Sequence, residues 1–289
     1  MNSPSARDAA LPLVSIGMPL YNEERFIGES LLSILDQDYG NVEIIVSDNA
    51  STDATADICK KVIGDRENCR LHRFGVNKGA AENFRYVLSQ ARGIYFMWAS
   101  GHDLWDSNYI RECVNLLEAM PSAAIAFGSS SWIDEHGKTL NKYSGYIDTR
   151  GMHPINRFFS TYYGNMHPIL GLIRRSFLND GERLLATVGA DLILLTDLAL
   201  KGDFIHSSCT SWCRREFRHE TSHGQKLQRY RSPDYGLARS MLDRYFPLLR
   251  IPIELLRNIL VSDLSRAERV FVAISLLASL PIRYLAGKR

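Results

Sequence analysis

Val42-Glu43-Ile44-Ile45-Val46-Ser47-Asp48-Asn49-Ala50-Ser51-Thr52-Asp53 sets an apolar run directly against a small polar turn. The run Val42 to Ser47 reads as a buried strand. The turn reads as a loop that opens a helix, capped by Ser51 or Asp53 and carrying Ala56, Ile58 and Val62. The pattern recurs on either side. Leu13 to Met18 is a strand ended by Pro19, and Asn22 then caps a helix from Glu23 to about Asp36, with Phe26, Ile27, Leu31, Ile34 and Leu35 at helical spacing. Leu71 to Phe74 and Ile94 to Ala99 are further strands, separated by a helix from Ala80 to Ala91. Alternation of near-continuous apolar strands with helices predicts an α/β protein with a parallel sheet covered on both faces. Ligands of such sheets lie beyond the carboxyl ends of the strands. There the turns Pro19–Asn22, Asp48–Asp53 and Ser100–Asp103 come together.

Farther along, Ala123 to Phe127 is expected to be a strand, followed by a polar turn at Asp134 to Gly137. The segment from Asn141 to His167 reads as loops with one helix. Gly171 to Arg175 reads as a short strand, and Ala190 to Lys201 as a helix with Leu192, Leu195, Leu198 and Ala199 inward. From about Gln225 the pattern is helical and basic.

Each strand-end turn has a chemical reading and a plain one. Asp48 can accept a hydrogen bond from a base or ribose, and Tyr21 beside exposed backbone suits a flat base. Asp103 with His102 offers an oxygen and a nitrogen donor to Mg or Mn on a diphosphate. The plain reading of all three is a turn with a helix cap. Asp191, just before Leu192, is a carboxylate able to take a proton from a hydroxyl, or a cap for its own helix. Arg214 and Arg215, with Arg218 and His219, suit diphosphate oxygens or form a solvated basic turn. Trp212 reads as core.

The ordered set of motifs resembles the inverting family-2 glycosyltransferases of the GT-A fold. The matching segments are Pro19-Leu20-Tyr21-Asn22-Glu23, Asp48-Asn49-Ala50-Ser51-Thr52-Asp53, Asn77-Lys78-Gly79, Gly101-His102-Asp103 and Gly189-Ala190-Asp191. The resemblance covers roughly residues 11 to 220. It implies a GT-A (Rossmann-like), mostly parallel mixed sheet flanked by helices, over residues 1–225, with a C-terminal basic amphipathic helical region over 226–289. It further implies that Pro19, Tyr21 and Glu23 cradle base and ribose, that Asp48 binds the base, and that Lys78 and Asn83 contact the nucleotide. Asp103 matches the metal-binding aspartate and Asp191 the catalytic base. The implied cofactor is a divalent cation, Mn or Mg. Here, however, His102 replaces an aspartate and Ser100 another commonly acidic position, and His102 is free to serve ribose or phosphate instead. The implied partners are a nucleoside diphosphate sugar donor and a glycan or lipid-linked acceptor, in polysaccharide, lipopolysaccharide or glycolipid assembly. The competing readings are a non-catalytic nucleotide-sugar or glycan-binding protein on the same scaffold, and a nucleotidyltransferase. The latter is disfavoured because Pro19 to Glu23 is not a Gly-rich basic loop.

Composition narrows the field. Net charge is +2 over 289 residues, so no nucleic-acid partner is indicated. Five scattered cysteines argue against a disulfide framework and for a reducing cytosol, and Cys209 and Cys213 lack the second ligand pair of a zinc site. Met1 to Ala10 is polar, unlike a secretory leader. The tail 250–289 holds seven Arg or Lys against three acids, interleaved with apolar residues, and Val270 to Leu280 is too short to span a bilayer. Two expectations stand for it: packing on the catalytic domain or a second subunit of a homo-oligomer, or peripheral contact with the inner membrane face.

Overall fold

A computed structural model describes residues 11–142, 144–145, 147–178, 187–217 and 248–286, with side chains of the last helix to 281. In chain order the elements are β1 (Val14–Leu20), α1 (Ile27–Leu35), β2 (Val42–Asp48), α2 (Thr55–Ile63), β3 (Cys69–Arg73), α3 (Ala80–Ser89), β4 (Tyr95–Trp98) and β5 (Leu104–Trp105). They continue with α4 (Tyr109–Ala119), β6 (Ala123–Ile133), β7 (Thr139–Leu140), α5 (Pro154–Tyr163), β8 (Leu172–Arg174), α6 (Ala190–Lys201), β9 (Asp203–Arg215), α7 (Arg250–Val261) and α8 (Arg266–Ala286).

The strands form one sheet in the order β3-β2-β1-β4-β8-β6-β9-β5, with β7 paired to β6. β1 to β4 are parallel, β8 runs antiparallel to β4 and β6, and β6 and β9 are parallel again. The mostly parallel mixed sheet expected from the sequence is therefore present. Its two faces are covered as apolar strands require. Ile16, Met18, Ile44 and Val46 pack with Ile27, Leu31 and Cys59 on one side, and Val87, Phe96, Trp98 and Ile125 pack with Leu195 and Leu198 on the other. A third cluster joins Phe158 and Tyr162 of α5 and Leu192 and Ile193 of α6 to Leu255, Ile259, Val272 and Leu276 of α7 and α8.

Several boundaries differ from the sequence reading, each for a local reason. Pro19 does not end β1 but pairs with Ser47 inside it. Gly17 O accepts Ala99 N toward β4, whose ladder with β1 stops at Trp98. Two residues on, the missing N–H of Pro19 faces a side where no strand remains, so its absence costs nothing. Asn22 does not cap the first helix, which starts at Ile27. It sits in the left-handed region at φ 54° and its Oδ1 accepts Thr52 N at 2.9 Å. α4 and β5, which the sequence reading did not assign, insert between β4 and β6. β9 runs 13 residues, through the stretch read as a basic turn.

Candidate functional site

The loops after β1 and β2 are laced together by their own polar residues. Asn22 N donates to Ser51 Oγ at 2.9 Å, Glu23 N to Thr55 Oγ1 at 2.8 Å, and Glu24 N to Asp53 Oδ2 at 3.1 Å. Asp53 Oδ1 accepts Thr55 N at 3.0 Å, but the N-cap position of the second helix is Ala54, so neither Ser51 nor Asp53 is its cap. Burial pushes its carboxyl up, but these bonds outweigh burial and hold it below its ordinary value. The motif residues read from the sequence as turn and cap thus fasten two strand ends into one wall.

Behind that wall lies a group of uncommitted polar atoms. Asp48 is fully buried. Its Oδ1 accepts Ser51 N at 3.2 Å, and its Oδ2 has Arg73 Nε at 3.1 Å as an ion pair but in no aligned hydrogen bond. Ser47 Oγ, His72 Nε2, Asn77 Nδ2 and Asn83 Oδ1 are likewise buried without a hydrogen-bond partner. They are neighbours: Ser47 is registered with His72, and Asn83 Nδ2 donates to Ser47 O and Leu20 O, both at 3.1 Å. Buried polar atoms left unpaired are costly, so the four with neither hydrogen bond nor ion pair, on Ser47, His72, Asn77 and Asn83, mark a place shaped for a polar partner. Asn83 is only half available, because its amide nitrogen braces β1 to β2. Lys78 has an exposed side chain, and its N–H donates to Asn49 Oδ1 at 2.8 Å. Pro19 and Tyr21 are half-buried at the end of β1.

The corner after β4 closes over Glu23. His102 Nδ1 lies 3.1 Å from both carboxylate oxygens of Glu23. Gly101 allows the approach, since a Cβ there would stand 2.8 Å from Leu20 Cδ2 and 3.0 Å from Glu23 Cγ. Asp103 is buried, and its Oδ1 accepts Arg215 N at 2.8 Å. Each residue of the expected metal pair thus has one donor atom committed inside the protein. Among the described residues no group of three or more His, Cys, Asp or Glu is placed to hold a metal. Mg and Mn favour several oxygen ligands. The described residues therefore do not build a metal site from protein atoms alone, and no chemical step is derived through one.

β9 carries the feature the sequence reading missed. Side chains on a strand alternate between faces. Arg214 is registered with Trp132 of β6 and its guanidinium stacks 4.8 Å from the Trp132 ring. On the same face, His167 Nδ1 is 2.7 Å from Ser130 Oγ, and its ring meets Trp132 and Trp212 edge-on. Arg215 points the other way and is buried. Its Nε donates to His102 O at 2.9 Å, its Nη2 pairs with Glu29 at 2.8 Å, and it lies 4.6 Å over the Phe26 ring. Expected as a phosphate ligand, Arg215 is instead spent holding the His102–Asp103 corner in place. Trp212 is core, stacked on Trp105. Arg218 and His219 lie outside the described residues.

Asp191 sits in the first turn of α6, whose N-cap is Gly189 at φ 79°. It is therefore not the helix cap. Gly189 is needed for its left-handed backbone and for contact with Ile251 of α7, which a Cβ would approach to 2.8 Å. Asp191 is open to solvent at its surface yet surrounded by protein mass, and this desolvation raises its carboxyl above the ordinary range, while the positive charge of Arg214 pulls it back down. Burial and Arg214 together push His167 down to about 4, so its imidazole is neutral at pH 7. Arg214 thus acts on Asp191 and His167 alike. Cys209 and Cys213 lie on β9 as free thiols.

With this geometry in view, the relatives are informative. Residues 15–180 match the family described as glycosyl transferase family 2. A putative teichuronic acid biosynthesis glycosyltransferase, TuaG of Bacillus subtilis, is 30% identical over 132 residues, 46% of this chain and 52% of that protein. The chain spans about half, or less, of the length of the curated relatives it matches. Staphylococcus aureus TarS 1–349, solved in complex with UDP-GlcNAc, superposes with a TM-score of 0.66 at 18% identity, covering 92% of this chain and 71% of that one. The mannosyltransferase PcManGT of Pyrobaculum calidifontis, solved with GDP-Man and Mn2+, gives 0.55 at 18% identity, covering 95% and 83%. These likenesses carry the GT-A fold. Strand order, strand-end motifs and a family match over more than half its length place this chain among the family-2 glycosyltransferases.

Proposed function

We propose that the protein moves one sugar from a nucleoside diphosphate sugar to a hydroxyl acceptor in polysaccharide, lipopolysaccharide or glycolipid assembly, inverting the anomeric centre. The observation that carries this is Asp191, a carboxylate at a helix start, held in desolvating surroundings and pulled toward ionisation by Arg214. The unpaired atoms around Asp48 support a base site behind the Pro19–Glu23 wall, with Tyr21 beside it and the exposed Lys78 side chain in reach of the nucleotide. In this reading His102, paired with Glu23, serves the ribose or the diphosphate.

In the step proposed, the acceptor oxygen attacks the anomeric carbon as the bond to the diphosphate oxygen breaks. The diphosphate leaves with the electron pair, and the acceptor proton passes to the Asp191 carboxylate. A single displacement from the face opposite the leaving group inverts the centre. Arg214, on the Trp132 face of β9, supplies positive charge that favours the leaving anion. TarS and PcManGT were solved with a nucleotide sugar bound, which supports a donor of that class here. PcManGT also carries Mn2+, which supports a divalent cation in related enzymes.

A panel of nucleotide sugars screened by thermal shift identifies the donor, since a ligand of the folded state raises its melting temperature. The Asp191→Asn variant is then expected to bind that donor normally while turnover falls by about 10²–10⁴-fold. Turnover at the parent rate would remove Asp191 from the chemistry. The replacement of an acidic residue by His102 favours one second reading, a non-catalytic sugar-nucleotide binder. Donor binding without release of nucleoside diphosphate from any acceptor preparation would establish it.

A further inference from the structure

α7 and α8 divide their surfaces sharply. On α8, Val272 and Leu276 are buried in the cluster with α5 and α6, and Ser279 is also buried. On the opposite side of the same helix, Val270, Phe271, Ile274 and Leu277 are each more than half exposed. They fall at spacings of one, four and seven residues, which is a single helical face over two turns. Leu260 and Val261, at the end of α7, are also more than half exposed. Scattered apolar residues on a surface are ordinary, but this row of large side chains is continuous along its helix.

Charge at its borders says what covers it. The Arg257 side chain is more than two-thirds exposed, and Arg266 is exposed at the start of α8. Glu268 is occupied by Ser265 and His153, and Glu254 lies between Arg250 and Arg257. Asp263 is the exposed acid of the region. Beyond Glu268 the sequence holds Arg269, Arg283, Lys288 and Arg289 and no acid. A two-fold interface between copies would set these basic borders against each other. An anionic lipid surface would neutralise them while taking up the apolar row. No helix among the described residues is long and apolar enough to cross a membrane, so the fitting geometry is one lying in the interface plane.

We propose that the outer face of α7–α8 docks this protein on an anionic lipid surface, with Phe271, Ile274 and Leu277 inserted and Arg257 and Arg266 at headgroup level. The inference stands apart from the sugar-transfer reading. Docking would still bear on the site, because α7 braces the start of α6: Ile251 packs on Gly189, and Asn258 Nδ2 donates to Ile193 O at 3.0 Å. The docked face and Asp191 thus share one packed unit.

The test is sedimentation of the full chain with vesicles of phosphatidylcholine alone, or with about one-third phosphatidylglycerol, at low and high salt. Binding is expected with the anionic vesicles only, weakening as salt rises. The variant Phe271→Glu/Ile274→Glu should lose about ten-fold or more in binding, with an unchanged melting temperature because both side chains face solvent. Phe271→Ser/Ile274→Ser, a milder pair, guards against a folding defect and should also weaken binding. No binding to anionic vesicles, equal binding to neutral ones, or full binding by a folded variant would overturn the proposal. So would a self-association that both variants abolish in a protein that ignores vesicles, which would give the face to a second copy.

Discussion

Replacing Arg215 by Met removes a guanidinium that meets five partners in the fold. The bond to His102 O, at 2.9 Å and from a charged donor, contributes about 1.5–3 kcal/mol. Contacts to Asp134 O and Glu135 O, at 3.4 and 3.3 Å, are long and add little. The pair with Glu29 is discounted because that carboxylate is largely exposed, leaving about 0–1 kcal/mol. The stack on Phe26 adds about 0.5–1 kcal/mol. Together these come to about 2–5 kcal/mol, with packing that Met restores only in part. Unfolding entropy of about 2.1 cal/mol/K per residue gives roughly 0.6 kcal/mol/K for 289 residues, so the melting temperature should drop by about 3–8 °C. Arg214→Met, on the neighbouring residue, loses a half-exposed stack on Trp132 and should shift melting by only about 1–2 °C. Differential scanning calorimetry of both variants, with and without donor, measures this. Equal small shifts, with donor affinity lost in Arg215→Met, would refute the brace and return Arg215 to the ligand.

Three further outcomes follow from the same geometry. Asp48→Asn keeps the shape that receives Ser51 N but removes the charge, and calorimetric titration should find donor affinity reduced by roughly 10–100-fold. Unaltered affinity would take Asp48 out of the base site. Because the protein surrounding Asp191 desolvates its carboxyl and so raises it, and a base must be deprotonated, kcat/KM should fall off at a higher pH than an ordinary aspartate would give. Arg214→Gln should move that acidic limb higher still, and an unmoved limb would uncouple the two residues. His167 protonates near its ordinary value of 6.5 when unfolded but at about 4 when folded, so the unfolded chain binds the extra proton between them. Its neutral burial therefore lowers stability as pH falls from 6.5 toward 4. Urea midpoints of His167→Gln should fall less over that window than those of the parent, and parallel curves would show that His167 is not the group responsible.

The first hundred residues were the most legible part of the chain. Buried parallel strands write themselves as short apolar runs, and the loops that fasten β1 to β2 need Asn, Ser, Thr and Asp at set places. Even there, the sequence could not say that Asn22 bonds Thr52 across the wall rather than capping its own helix, since both uses suit the same side chain. The tail was legible as amphipathic and basic. Which of its apolar residues are buried depended on where α5 and α6 lie.

The neighbours Arg214 and Arg215 mark the limit. By sequence they are one basic pair in one polar stretch, and local chemistry treats them alike. Their difference comes from β9 being a strand, paired along its length with β6 and rich in Ser, Cys and Thr that hide its period. Once the ladder is in place, alternation sends Arg214 toward Trp132 and the charge of Asp191, and Arg215 toward Glu29 and the His102–Asp103 corner. Sequence alone determined the strand-end motifs and the kind of sheet, because those are local consequences of burial and turn chemistry. Only the tertiary structure decided which arginine faces the proposed chemistry and which one holds the fold, because that rests on pairing between segments some eighty residues apart.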